Sequence, residues 1–309
     1  MIYTVTLNPA LDKTAVIPNF RVDGVNRMEQ LRTDPGGKGI NVSKVIQKLG
    51  AKSVALGILA GHSGQQIAQS LERMGLSCNF TFVPGETRTN LKIVDPVGKT
   101  HTDINEPGQP VAQEVLNALL ESLLRQLQPG DMVVLSGSLP KGAAPDTYGT
   151  WTRACGERGA KVLLDADGDP LRYGLAAKPW LVKPNDKELA RLLGESIRGE
   201  ADLISAGKKL REQGIARVVI SLGAEGALFF FEDGVYRAKG LSVPVGSTVG
   251  AGDSMVAALA VACEKQLSDE ETVALAMATS AANVMCSGTQ AAEWEVIEKL
   301  RPNVDFERI

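Results

Sequence analysis

Residues 132–137 read MVVLSG and residues 161–166 read KVLLDA. Each is a short, almost unbroken apolar run ending in small or acidic residues. Such a run suits a strand covered on both faces, because a half-exposed strand would alternate apolar and polar positions. SVALGIL at 53–59 and RVVISLG at 217–223 repeat the pattern. Between these runs the apolar period changes. Leu116, Leu119, Leu120, Leu123 and Leu127 follow the i, i+3, i+4, i+7, i+11 rule of a helix, which Pro129-Gly130 stops. Buried strands alternating with helices predict the α/β class, as a doubly wound, mainly parallel sheet with helices on both faces.

Two stretches break this rhythm, at about 10–35 and 80–107. The segment NFTFVPGETRTNLKIVDPVGKTHTDI at 79–104 reads as strand, turn, strand, turn, strand, with Pro84-Gly85 and Pro96-Val97-Gly98 as the turns. Both stretches are expected to form a small second sheet outside the core, serving as a lid over a site, as a pairing surface for a second subunit, or as both. A chain of 309 residues accommodates one large domain with such an appendage.

Composition excludes several classes of function. Hydrophobic residues at 44% and charged residues at 22% are ordinary globular usage, and no apolar run reaches the ~18 residues of a membrane span. Cys78, Cys155, Cys263 and Cys286 are scattered, and His62 and His101 are the only histidines. That set supplies neither a disulfide framework nor a zinc centre. A reducing, cytoplasmic location is expected. A net charge of -3 gives no general attraction to nucleic acid, so an anionic ligand must be met by local cations and backbone donors.

Two glycine-rich turns supply them. Ser247-Thr248-Val249-Gly250-Ala251-Gly252-Asp253-Ser254 runs into a helix whose apolar face is Val256, Leu259, Ala260, Cys263 and Leu267. A turn of small residues entering a helix leaves backbone N–H groups unpaired at the positive end of the helix dipole, which is an anion hole. Phosphoryl transfer needs such donors together with a carboxylate near the attacking hydroxyl, and Asp253 follows the turn directly. On local grounds Asp253 reads equally well as a helix N-cap. The second turn, Pro35-Gly36-Gly37-Lys38-Gly39-Ile40-Asn41, opens a helix with Val42, Val45, Ile46 and Leu49 on one face and Gly50 as its stop. Its glycines allow close approach of a ligand, and Asn41 offers both donor and acceptor to sugar hydroxyls. A structural tight turn with a solvated Lys38 explains the same residues. Met255 stands where a dinucleotide fingerprint wants Gly or Ala, and no G-x-x-x-x-G-K-[ST] occurs, so the Rossmann and P-loop motifs are absent.

Taken together with TLNPALD at 6–12, TRTN at 87–90, SGSLP at 136–140, KPNDKEL at 183–189 and SLGAEGA at 221–227, the two turns resemble, in order, the motifs of the PfkB family of ribokinase-like carbohydrate kinases. The resemblance spans essentially the whole chain. It is strongest to the phosphosugar branch, which comprises 1-phosphofructokinases, tagatose-6-phosphate kinases and minor 6-phosphofructokinases. TRTNLKI, the NEPG stretch at 105–108 and LREQGIARVVISLGAEGAL look most like the first of these.

The resemblance implies ATP and Mg²⁺ as cofactors, a phosphosugar such as fructose 1-phosphate as substrate, and a homodimer formed through the lid sheet. It implies Asp253 as catalytic base, with Gly250, Ala251 and Gly252 as the anion hole. Asp12, Gly37, Asn41 and Ser138 would hold sugar hydroxyls, and Arg27, Lys38 and Arg88 the phosphate already on the substrate. Lys183, Asn185, Ser221, Gly223, Gly226 and Asn283 would line the nucleotide site, with Asn185 and Glu188 organising the metal through water. The physical case for Arg88 is separate, since an Arg fork matches phosphate oxygens, and TRTN places polar neighbours around it. Asn185 and Glu188 also read as a helix capping box, which is compatible with metal organisation. Related sequences often read Asp-Ser-Ser-Gly-Glu where this chain has Asp165-Ala166-Asp167-Gly168-Asp169, and no role follows for Ala166 or Asp167. At a helix start the carboxylate of Asp253 is expected to titrate below its usual range. A silent sugar-phosphate sensor on the same fold is the rival of another class. The intact Asp253 argues against it.

Overall fold

The computed structural model describes residues 1–194 and 197–309. In chain order its first half contains β1 (Ile2–Thr6), β2 (Ala10–Val16), β3 (Gln30–Gly36), α1 (Lys38–Lys48), β4 (Ser53–Ala60), α2 (Gly61–Arg73), β5 (Ser77–Val83), β6 (Thr89–Asp95), β7 (Thr100–Asn105), α3 (Gln113–Gln126) and β8 (Met132–Ser136). There follow α4 (Thr147–Glu157), β9 (Lys161–Asp165), α5 (Gly168–Ala176), β10 (Leu181–Val182), α6 (Asp186–Leu193), α7 (Glu200–Glu212) and β11 (Arg217–Ser221). The last part holds β12 (Gly226–Phe230), β13 (Val235–Lys239), α8 (Ala251–Glu264), α9 (Asp269–Val284), α10 (Trp294–Leu300) and β14 (Phe306–Arg308).

A ten-stranded sheet runs β14-β13-β12-β11-β10-β9-β8-β1-β4-β5. It is parallel from β11 to β5, while β12, β13 and β14 extend it antiparallel. The apolar runs are central because each strand feeds two cores at once. In β8, Met132 and Val134 join the cluster under α1, α8 and α9, whereas Val133 and Leu135 join the cluster under α3, α4 and α7. Side chains alternate across a strand, so only a continuous apolar run serves both faces.

The second sheet has four strands in the order β3-β2-β6-β7. One expectation is corrected here. Residues 80–83 lie in β5, which pairs in parallel with β4 at the edge of the large sheet. The α2 crossover returns the chain parallel to β4, and the polar, partly exposed character of β5 reflects its edge position. The faces of the small sheet follow from register. Asp12 pairs with Asn90, Asn90 with Asn105, and Lys92 lies two residues along, so these four share one face.

Candidate active site

The parallel strands end at a cleft of about 980 Å³, and one side chain after another comes from a strand end: Thr6 closes β1, Ser136 closes β8 with Ser138 just beyond it, Lys183 follows β10 and Ser221 closes β11. Loops at carboxyl ends of parallel strands are where open α/β sheets bind ligands. The small sheet closes the opposite side with Asp12, Arg88, Asn90, Lys92 and Asn105.

Gly250 is the N-cap of α8, with φ 84°, a left-handed conformation that favours glycine. No side chain caps the helix, and apart from the Ala251 amide, 3.5 Å from the Thr248 carbonyl, its first-turn amides remain donors. Asp253 therefore sits inside the first turn and is not the cap. Its carboxylate is 7% exposed, and Oδ2 accepts a 2.8 Å hydrogen bond from Asn41 Nδ2. The two glycine turns thus meet through one bond. A Cβ on Gly252 would stand 3.4 Å from Lys183 Nζ, which places an ammonium beside the turn.

Behind the turn lies a buried ionic cluster. Asp165, at the end of β9 and 1% exposed, receives Lys38 Nζ at 3.1 Å on Oδ2 and stands 3.3 Å from Lys183 Nζ on Oδ1. Ser136 Oγ donates to Oδ2 at 3.3 Å. Burial alone would raise the Asp165 carboxyl, but Lys183 and Lys38 outweigh it and bring it down to about 2. Burial would lower Lys38, yet Asp165, Asp253 and Glu188 hold it above its ordinary value. Lys38 thereby pairs with a carboxylate while its side chain, 37% exposed, still lines the cleft. Asp253 reverses the expectation for a helix start: its carboxyl is raised, first by burial and then by Asp165, against the opposing Lys38, Asn41 and Lys183. Helix-dipole stabilisation of an exposed group is worth about 0.3–1 kcal/mol, and here the loss of water dominates.

On the far wall Arg88 donates to three backbone carbonyls, from Nε to Pro9 at 3.3 Å, from Nη1 to Glu106 at 2.9 Å and from Nη2 to Asn8 at 3.0 Å. These bonds fix the guanidinium without neutralising it. Asn8 also donates to Ser138 Oγ at 3.1 Å, tying Ser138 to the same corner. Asp12 accepts from Asn90 Nδ2 at 2.9 Å and packs against Gly36, where any side chain would strike its carboxylate. Burial raises the Asp12 carboxyl, opposed by Asn90, Lys92, Lys44 and Arg88.

Toward the nucleotide end, Asn185 and Glu188 form a capping box on α6: Asn185 Oδ1 accepts from Glu188 N at 2.8 Å and Glu188 Oε2 from Asn185 N at 2.9 Å. Both line the cleft, as do Gly223 and Gly37. Gly37, at φ 113°, could not carry a side chain, because a Cβ would meet Thr6 Cγ2 at 2.6 Å. Four expected residues lie elsewhere. Arg27 is exposed in the loop between β2 and β3 and does not line the cleft of this chain. Gly226 does not line the cleft, and a Cβ there would strike the Ala238 carbonyl of the neighbouring strand. Ala251 does not line the cleft, although it belongs to the turn. Asn283, 2% exposed, is packed under the turn, its Nδ2 3.2 Å from where a Gly250 Cβ would be.

Asp167 caps α5, accepting from Gly168 N at 2.7 Å, and pairs with Arg191 at 2.8 Å, which gives the altered segment a structural use. Asp165, Lys92 and Asn105 escaped the sequence reading. For Asp165 a signal existed, in the single acid ending the apolar run KVLLD.

The chain matches the model of the pfkB family of carbohydrate kinases over residues 5–296. It is 39% identical to the 1-phosphofructokinase of Bacillus subtilis (strain 168), with 100% of each chain covered. It is 38% identical to that of Escherichia coli (strain K12), over 98% of this chain and 97% of the relative. Among solved structures, phosphofructokinase-2 from Escherichia coli in complex with substrates and products superposes with a TM-score of 0.93 at 29% identity, covering 98% of both chains. With this geometry and these likenesses together, the chain belongs to the pfkB family of carbohydrate kinases.

Proposed function

We propose that the chain is a 1-phosphofructokinase, which transfers the γ-phosphoryl group of ATP to the free 6-hydroxyl of fructose 1-phosphate and yields fructose 1,6-bisphosphate and ADP. The observation that carries the reading is a buried carboxylate, Asp253, in a helix turn of unpaired amides, facing across the cleft a guanidinium, Arg88, that is held only by backbone carbonyls. A base beside an anion hole serves transfer, and an uncompensated cation opposite serves a substrate that is already phosphorylated. Full-length likeness to 1-phosphofructokinases selects the sugar.

Asp12, Gly37 and Asn41 would hold the ring hydroxyls, and Arg88 with Ser138 the 1-phosphate. Asp253 takes the proton of the 6-hydroxyl as its oxygen forms the bond to the γ-phosphorus and the bond to the ADP oxygen breaks. The Gly250 to Gly252 turn and Lys183 meet the charge on the transferring group. Its raised pKa makes Asp253 a stronger base than an ordinary carboxylate, and it acts once the pH is above that raised value.

Ser221, Gly223 and Asn185 flank the ATP phosphates and ribose. Mg²⁺ fits here, because the Glu188 carboxylate spends one oxygen on the Asn185 amide and its side chain makes no other hydrogen bond among the described residues. The second oxygen could take a metal-bound water, and the ion, when bound, supplies charge neutralisation to the phosphates. The small sheet and its loop expose Val22, Val25, Met28, Leu31 and Ile104, which supports pairing with a second copy there, measurable by light scattering. No helix among the described residues is long and apolar enough to cross a membrane. Free cysteines accord with a reducing, cytoplasmic setting.

The test is ADP release from Mg-ATP with fructose 1-phosphate, tagatose 6-phosphate and fructose 6-phosphate offered separately. Highest kcat/KM with fructose 1-phosphate is expected. Preference for either 6-phosphate would move the substrate assignment, and no turnover with any of the three would sink the kinase mechanism.

A further inference from the structure

Lys44 lies on α1, three residues past Asn41, and is 7% exposed. Its Nζ donates to the Pro35 carbonyl at 2.9 Å and to the Thr289 carbonyl at 3.0 Å. It forms no ion pair with a carboxylate among the described residues. A buried ammonium without a counter-charge is costly, and an apolar side chain would fill the same space without that cost. The two carbonyls show what the charge secures. Pro35 leads into Gly36, which packs on Asp12, and Gly37, which packs on Thr6 and Pro9 and caps α1. Thr289 lies in the loop between α9 and α10 and lines the cleft. The same loop is tied to β3 once more, where Arg32 Nη2 donates to the Ser287 carbonyl at 2.7 Å.

We infer that Lys44 is a positioning residue for the transfer: a buried strap that holds the Gly36 to Asn41 turn and the Thr289 loop in register around Asp253. It acts through Asn41, its neighbour on the same helix face and the hydrogen-bond donor to Asp253.

Burial lowers Lys44 to about 8, opposed by Asp34 of β3, Asp12 of β2 and Asp253 of α8, and reinforced by Arg32 of β3. The Lys48–Glu293 pair, at 2.6 Å, borders the same side. A cavity of about 680 Å³, lined by Lys44, Thr289, Met285 and Val296 among others, gives the proton a route to water and a larger head group room to fit.

Two measurements on the intact protein decide the matter. In the first, which rests on the kinase reading above, Lys44→Met, which has no donor for either carbonyl, lowers kcat for fructose 1-phosphate about tenfold with a smaller change in KM. Lys44→Arg keeps donors for both carbonyls and holds kcat/KM within about threefold of the wild type. The second needs no substrate. Hydrogen exchange of the amides of 36–41 and 287–290, corrected for intrinsic rate, gains about tenfold protection between roughly pH 7 and pH 9 in the wild type, because Lys44 binds its proton more tightly once the strap opens to water, and stays level in Lys44→Arg. A kcat in Lys44→Met equal to that of the wild type, or unchanged wild-type protection, overturns the strap. If no phosphosugar is turned over, exchange in the wild type still decides, as it does if Lys44→Arg fails to fold.

Discussion

The two walls of the cleft differ in how they hold charge. On the core wall Asp165, Lys183 and Asp253 are all less than a tenth exposed and stand at strand ends or in the first turn of a helix. There each ionised group has another ionised group or an amide as its partner, and the lysines that hold the Asp165 carboxyl down also oppose the rise of Asp253. On the small-sheet wall Arg88 is held by carbonyls alone, Lys92 has only a 3.4 Å pairing with Asp103, and β7 is exposed along its length. Buried charges that cannot move suit a reaction that requires fixed geometry. Loosely neutralised cations on a thin sheet suit a ligand that brings its own anion. The core wall should therefore set the rate and the small sheet the affinity for the sugar.

Replacing Asp253 with Asn removes the base while keeping an oxygen for the Asn41 bond. We expect kcat to fall about 10²–10⁴-fold with little change in KM for ATP, and retained turnover would break the division between the walls. Asp165→Asn strands the buried Lys183 without its counter-charge and takes the partner from the part-exposed Lys38, and should cost about 3 kcal/mol in denaturant unfolding. A loss under 1 kcal/mol, within the range of exposed pairs, would mean that the cluster is not the rigid element described. Arg88→Met should raise KM for the phosphosugar by roughly 10–100-fold, the equivalent of about 1.5–3 kcal/mol for a charge-assisted contact, with a smaller effect on kcat. An effect confined to kcat would transfer Arg88 to the reacting end. The acid limb of the pH profile is the smallest expected effect. Because the base must be deprotonated and its pKa is raised, kcat/KM should decline on acidification at a pH above the ordinary carboxylate range near ~3.9. Removing the opposing charge with Lys38→Met should move that limb higher still, and a limb that moves down or stays put would contradict the electrostatic ordering.

Much of this arrangement was legible in the residues. MVVLSG and KVLLDA imply strands with two covered faces because no other environment suits an uninterrupted apolar run, and the cleft follows from where parallel strands end. The glycine turns were readable because an anion hole and a close backbone approach need small residues. Three things were not. The placement of 80–83 failed because an edge strand of the large sheet has the same mixed polarity as a strand of the small one. The titration of Asp253 failed because sequence displays a helix start but not the depth at which it is buried. The pairing of Lys38 was hidden because its partner Asp165, 3.1 Å from its ammonium, lies 127 residues away. Partners across such separations are set by sheet order, which local pattern does not contain.

The division between the walls is tested most directly by titrating fructose 1-phosphate calorimetrically into Asp253→Asn and Arg88→Met, each checked for a wild-type circular dichroism spectrum. The account predicts that Asp253→Asn binds within about threefold of the wild type, whereas Arg88→Met binds at least about tenfold more weakly. Binding lost in Asp253→Asn, or undiminished in Arg88→Met, would contradict it.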